Sequence, residues 1–185
     1  MNAQQVILAI DTSAGQCAVA LSGPIEVAKS QQMSRGHAEA LFPMIEDALA
    51  SAGLSYGDVQ RIGVCTGPGS FTGVRVAVAA ARGLALGLGV PSIGVTRFEA
   101  LAPPGWTGTV TLPARGGTIW SQAFNDGAPC GYPSQTDGVA EDLMPDPLAI
   151  ARIAAARTPG LAPAPLYLRG ADAALPSVPA PVLLD

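Results

Sequence analysis

At 185 residues the chain is long enough for one domain or two small lobes, and 49% hydrophobic residues supply a real core, which excludes a disordered chain. Only 13% of residues are charged, the formal net charge is −4, and Lys29 is the one lysine among ten cationic residues. No basic stripe exists, which argues against an autonomous nucleic-acid binder but leaves open RNA binding as part of a larger complex, and the weakly charged surface points to a partner covering part of it.

Val6–Ile10 reads as a buried strand and Asp11–Gly15 as a turn. Cys17, Val19 and Leu21 alternate with Ala18 and Ala20, which gives a second strand, and Gly23-Pro24 turns into a third around Ile25–Lys29. Ala38, Leu41, Ile45, Ala48, Leu49 and Ala52 have helical spacing, with Gly53 as the stop and Pro43 as a kink or first-turn marker. Arg61–Cys65 is the next strand, Gly67–Gly73 a loop, and Val74–Leu88 a helix about 22 Å long at 1.5 Å per residue. Ser92–Val95 is a strand, and Thr96-Arg97-Phe98-Glu99 has the form of a capping box opening a third helix. The order β-β-β-α-β-α-β-α implies a mixed sheet with helices packed on it, an α/β fold of the ribonuclease-H-like, actin-like class.

Only four of the seventeen prolines lie in residues 1–102, so the segment beyond Pro103-Pro104-Gly105 is expected to have shorter elements and more loops. Val110-Thr111-Leu112, a turn at Pro113–Gly117 and Ile119–Phe124 repeat the opening strand–turn–strand and hint at a second, abbreviated copy of the fold. Asp146 and Pro147 open a helix to Arg157, and Leu166-Tyr167-Leu168 reads as a last short strand. The expected organisation is an N-terminal lobe over 1–102, a truncated second lobe over 103–170, and a Pro-rich tail over 171–185.

Two segments have the composition for binding phosphate. Asp11-Thr12-Ser13 offers an anion for Mg²⁺ and a turn with hydroxyls and amides; equally, such a turn bonds only its own backbone. In Gly67-Pro68-Gly69-Ser70-Phe71-Thr72-Gly73, a Gly-rich passage from strand to helix exposes amides at the positive end of the helix, or serves only as a tight turn with Ser70 as cap. No Lys follows the last Gly, so it is not a P-loop. His37 is the only histidine, which excludes a His-rich metal site and points to a structural or interface role. Cys17, Cys65 and Cys130 are far apart; the first two read as inert core thiols in a reducing compartment. The N-terminal apolar run stops at Asp11, unlike a signal peptide, and the stretch Val76–Val90 is too short for a bilayer, so a soluble, cytoplasmic protein is expected. The Val74–Leu88 helix is apolar nearly all round; the face turned from its sheet needs a cover, either a second lobe or another subunit.

Ile7–Ser13, His37-Ala38-Glu39-Ala40-Leu41 and Gly67–Arg75 resemble the TsaB (YeaZ) family, with Tyr167-Leu168-Arg169 similar to its late segment. The resemblance covers residues 6–102 most closely. It implies a two-lobed actin-like fold and a non-catalytic scaffold in forming N6-threonylcarbamoyladenosine in tRNA. The implied partners are a TsaD-like catalytic paralogue and a TsaE-like ATPase, with tRNA met only through the complex and a homodimer formed alone. Where the catalytic paralogue carries an HxxxH metal motif, this chain has Arg97 and Leu101. Neither is a neutral nitrogen ligand, so no metal and no peptidase activity are expected. Leu112-Pro113-Ala114-Arg115 lacks the family's Asp at the second-lobe turn, which weakens any nucleotide role there. The candidate phosphate or nucleotide contacts are Asp11, Thr12, Ser13, Gly67, Gly69 and Ser70, with no intrinsic cofactor and the partner interface left open to a nucleotide. The candidate interface residues are His37, Leu41, Ile45, Ala77, Ala80 and Leu84. The competing reading is a small actin-like ATPase or phosphotransferase built on Asp11 and the Gly67–Gly73 loop.

Overall fold

The computed structural model describes residues 5–168. Arg169 and the tail from Ala171 to Asp185 lie outside them. Five strands, β1 (Ile7–Asp11), β2 (Gln16–Ser22), β3 (Val27–Gln32), β4 (Arg61–Cys65) and β5 (Ser92–Val95), form one sheet in the order β3-β2-β1-β4-β5. β1 runs antiparallel to β2 and parallel to β4, and β4 parallel to β5. Apolar side chains occupy both faces of β1 and β2, which are buried along their whole length, so each face needs a helical cover.

One face is covered by α1 (His37–Ser51) and α2 (Phe71–Leu88). Leu41, Ile45, Ala48 and Leu49 of α1 and Val74, Ala77, Val78 and Ala81 of α2 pack on Leu8, Ile10, Val19, Ile62 and Val64. Pro43 lies in the interior of α1 on its exposed side, where its missing N–H costs one helical hydrogen bond. Gly53, just past α1, takes φ +66°, which suits glycine in the left-handed conformation at a helix end.

The other face is covered by α4 (Pro147–Ala156), which comes after the second lobe in sequence yet packs on β1, β2 and β4 through Ile150, Ala151 and Ala154. The approach is close: a Cβ on Gly63 would stand 2.8 Å from the Ala154 Cβ. Asp146 caps α4 through the Leu148 amide, with Pro147 at its start. The Arg61 guanidinium donates to the carbonyls of Ala154, Ala155 and Arg157 at its far end, satisfying acceptors that a helix C-terminus leaves open.

The second lobe is a three-stranded antiparallel sheet of β6 (Gly108–Pro113), β7 (Thr118–Asn125) and β8 (Ala128–Asp137). Its small core joins Val110, Leu112 and Phe124 to Phe98 of α3 (Arg97–Leu101), the helix that Thr96 and Glu99 open with the expected capping box.

Three expectations change. α2 starts at Phe71, not Val74, because Ser70 Oγ caps it by accepting from the Gly73 amide. At 18 residues and a mean hydropathy of 1.4 it is then long and apolar enough, by length and composition alone, to cross a membrane; here its apolar stripe packs on the sheet. Leu166–Leu168 is not a strand, although the Leu166 amide donates to the Thr66 carbonyl. β8, unforeseen in the sequence, closes the second sheet.

Candidate functional site

β1 ends in Asp11 and passes through Thr12 and Ser13 into β2, while β4 passes through Thr66 into the loop Gly67–Ser70 that starts α2. These two connections lie against each other. The Ser70 amide donates to the Ser13 carbonyl at 2.8 Å, and the Thr12 hydroxyl donates to the Gly73 carbonyl at 2.6 Å. A Cβ on Gly69 would stand 2.0 Å from the Ser13 carbonyl oxygen, and one on Gly73 2.0 Å from that of Thr12. Both glycines are therefore required by backbone approach. Gly67 has a different reason, its φ of +91°.

This packing decides the phosphate question for Asp11, Thr12 and Ser13. All three are fully buried. The Asp11 carboxylate accepts from the Ser13 amide and the Gln16 side-chain amide, and the Ser13 hydroxyl lies 3.3 Å from the Cys65 thiol. Their polar groups are satisfied inside the chain, so the turn presents nothing to a phosphate in solvent. Of the loop residues that seal it, Gly67 is buried, whereas Gly69 and Ser70 turn an exposed side to the cleft between the two sheets.

Burial pushes the Cys17 thiol up to about 11, with the nearby Asp11 charge adding to the effect. The Cys65 thiol is raised well above its usual range, chiefly by burial and again with help from Asp11. Both are protonated and unreactive at neutral pH. Arg97 is buried and pairs with Asp142 and the Leu143 carbonyl, while Leu101 packs in the second-lobe core. Among the described residues no three His, Cys, Asp or Glu side chains come together.

The expected interface residues divide. Leu41, Ile45 and Ala77 are fully buried against this chain's own sheet and are not available to a partner. Ala80 and Leu84 are half-buried on the flank of α2. His37 starts α1 at the mouth of the cleft between the two sheets, with its Nε2 buried and unpartnered among the described residues. The helical phase carries other side chains outward: Phe42, Glu46 and Ala50 on α1, and Ala79, Arg82, Gly83 and Leu86 on α2, with Leu86 86% exposed. The second lobe does not cover this face; it packs on α3 instead.

Residues 26–118, half of the chain, match the family model described as TsaD, tRNA N6-adenosine threonylcarbamoyltransferase. A Pseudomonas aeruginosa structure described as similar to peptidase YeaZ superposes with a TM-score of 0.77 at 26% identity, covering 89% of this chain and all of that one. The TsaB protein of Escherichia coli strain K12, named for tRNA threonylcarbamoyladenosine biosynthesis, is 41% identical over 102 residues. The chain belongs to the TsaB/YeaZ family. The aligned part is 54% of this chain and 44% of the E. coli TsaB, so the chain spans less than half the length of that relative. A tRNA N6-adenosine threonylcarbamoyltransferase of Jannaschia is 50% identical over 72 residues, 38% of this chain and 20% of that one. The TsaB/YeaZ fold accounts for the five-stranded sheet with its actin-like, ribonuclease-H-like order.

Sequence reading passed over one cluster, although its motif contained the signal. Phe71 and Arg75 are four residues apart and share a helix face. The Arg75 guanidinium lies 3.7 Å over the Phe71 ring and donates through Nε to the Tyr167 hydroxyl at 2.8 Å.

Proposed function

We propose that this chain is a non-catalytic scaffold in the formation of N6-threonylcarbamoyladenosine next to the anticodon of tRNA, pairing with a TsaD-like paralogue and a TsaE-like ATPase. The observation that carries this reading is the outer face of α1 and α2. It is long, combines small and apolar residues (Phe42, Ala50, Ala79, Gly83, Leu86) with Glu46 and Arg82, and is covered by nothing else among the described residues. Ala79, Gly83 and Gly87 let a second helix pair approach closely, as a four-helix bundle requires. The partner shares this fold and hence presents matching helices. Without it, the same face pairs two copies of this chain about a two-fold axis. In this reading the chain carries no cofactor of its own, nucleotide lies at the partner interface, and tRNA is held only by the assembly. The setting is the cytoplasm.

The ATPase reading needs Asp11 as well as the glycine loop to face a nucleotide; Gly69 and Ser70 do line the cleft, but the full burial of Asp11 stands against it. The test is co-expression with the TsaD-like protein of the same organism, then a threonylcarbamoylation assay on tRNA. We expect co-purification and a modification rate that depends on this chain. Failure to co-purify, or modification unchanged without this chain, overturns the proposal.

A further inference from the structure

We infer that the cleft between the two sheets holds a single-stranded segment of the RNA on which the assembly acts. The inference rests on the proposed role in tRNA modification, but its residues are different ones. The cleft has a volume of about 1210 Å³, above the roughly 300–1,000 Å³ typical of small-molecule pockets. Arg75 stands on the first-lobe wall and Arg115 on the second-lobe turn. Neither has a carboxylate partner among the described residues, although the chain as a whole is acidic. The one carboxylate on the walls among the described residues, Asp142, is neutralised by Arg97. Planar apolar groups accompany the cations: Phe71 is 59% and Tyr167 44% exposed, and Trp120 lies on the far wall.

Guanidinium groups without a carboxylate partner beside exposed aromatic rings form the combination that holds single strands, with phosphates on the cations and bases on the rings. A magnesium nucleotide fits less well. Among the described residues the cleft offers no free carboxylate for the metal, because Asp142 is paired and Asp11 is buried. Double-stranded RNA fits less well too, because its bases are stacked away from aromatic side chains. Two arginines are too few to hold tRNA unaided, so this contact works as one part of the assembly's larger surface.

The test uses the full chain at low ionic strength and a short single-stranded oligoribonucleotide. Trp106→Phe leaves Trp120, on the cleft wall, as the fluorescent reporter. We expect saturable quenching with a Kd of about 10⁻⁴ M, of the order of non-specific contacts, and a log Kobs against log [salt] slope that falls by about 0.7 for each arginine neutralised. Arg115→Glu sits on an exposed turn outside the Arg75–Tyr167 contact, so it tests the site without disturbing that contact; at least a tenfold loss is expected, with an unchanged melting curve. ATP with Mg²⁺ and a blunt RNA duplex are the competing arms. No saturable quenching, equal binding by Arg115→Glu, or preference for ATP or duplex overturns the inference. Arg115→Glu should still capture the TsaD-like partner, since the cleft and the α1–α2 face are separate. Loss of partner capture by the wild-type chain would instead strike the scaffold proposal.

Discussion

Replacing Gly73 by alanine puts a methyl carbon 2.0 Å from the Thr12 carbonyl oxygen, and Gly69→Ala does the same against Ser13. Neither neighbour is a side-chain tip that can swing away; both are backbone at the end of a central strand. The two connections must separate by more than 1 Å to reach ordinary contact at about 3.4 Å. That movement breaks the Ser70 amide to Ser13 bond, the Thr12 hydroxyl to Gly73 bond, or both, in a buried place. Each lost partner costs about 1–3 kcal/mol, and overpacking adds about 1–3 kcal/mol. At Gly73 the better helix propensity of alanine returns up to about 1 kcal/mol. The net is about 3 kcal/mol for either variant, which lowers Tm by about 6–12 °C in a chain of this size. Gly15→Ala is the control: the residue is exposed and nothing lies within 4 Å of its Cβ, so Tm should stay close to that of the wild type. Calorimetry on the three variants decides the matter. If Gly69→Ala and Gly73→Ala both melt within about 2 °C of wild type, a fraction of the expected shift, the seal between these connections is not as tight as described.

Three further outcomes are expected. Of the three thiols only Cys130, which is exposed, should react quickly with a disulfide reagent at pH 8, while Cys17 and Cys65 should react only after unfolding; fast labelling of all three in the native state would contradict their burial. Arg61→Met removes the donor shared by three carbonyls at the end of α4 and should destabilise by about 2–3 kcal/mol in denaturant titration; an unchanged midpoint would show that water serves those carbonyls equally well. Ala77→Glu, which places a carboxylate in the core, should unfold the chain, whereas Ala79→Glu, two positions on and exposed, should leave far-UV circular dichroism unchanged.

The first lobe was readable because its signals are local and agree with one another. β4, β5 and α3 have the bounds read from Arg61–Cys65, Ser92–Val95 and the Thr96 capping box. The start of α2 was missed because Gly73 reads as loop, whereas here its lack of a side chain lets the first turn of the helix touch Thr12. β8 was missed for another reason. Ala128–Asp137 holds Pro129, Gly131 and Pro133, has no apolar alternation and is exposed nearly throughout, so it is a strand only because β7 pairs with it. No local pattern shows that α4 returns to the first sheet, since its apolar face fits either lobe.

At the candidate site, the sequence marked the glycine loop but not what it touches. Composition alone suits both a phosphate cradle and a plug, and only the 2.0 Å approaches to Ser13 and Thr12 separate them. The helix proposed to carry the interface was also legible, but its phase was not. A helix rich in alanine on every side gives periodicity little contrast, so Ala77 and Ala79 look alike until the sheet is in place.

The central claim is that the outer face of α1 and α2 binds a TsaD-like partner. Sedimentation of the wild-type chain with that protein, beside Ala79→Glu and Gly83→Glu, tests it most directly. A one-to-one complex is expected for the wild type, with at least a hundredfold weaker association for each variant and the fold of each intact. The wild type alone should sediment as a dimer that the same two substitutions dissolve. Folded variants that retain wild-type affinity for the partner would contradict the account.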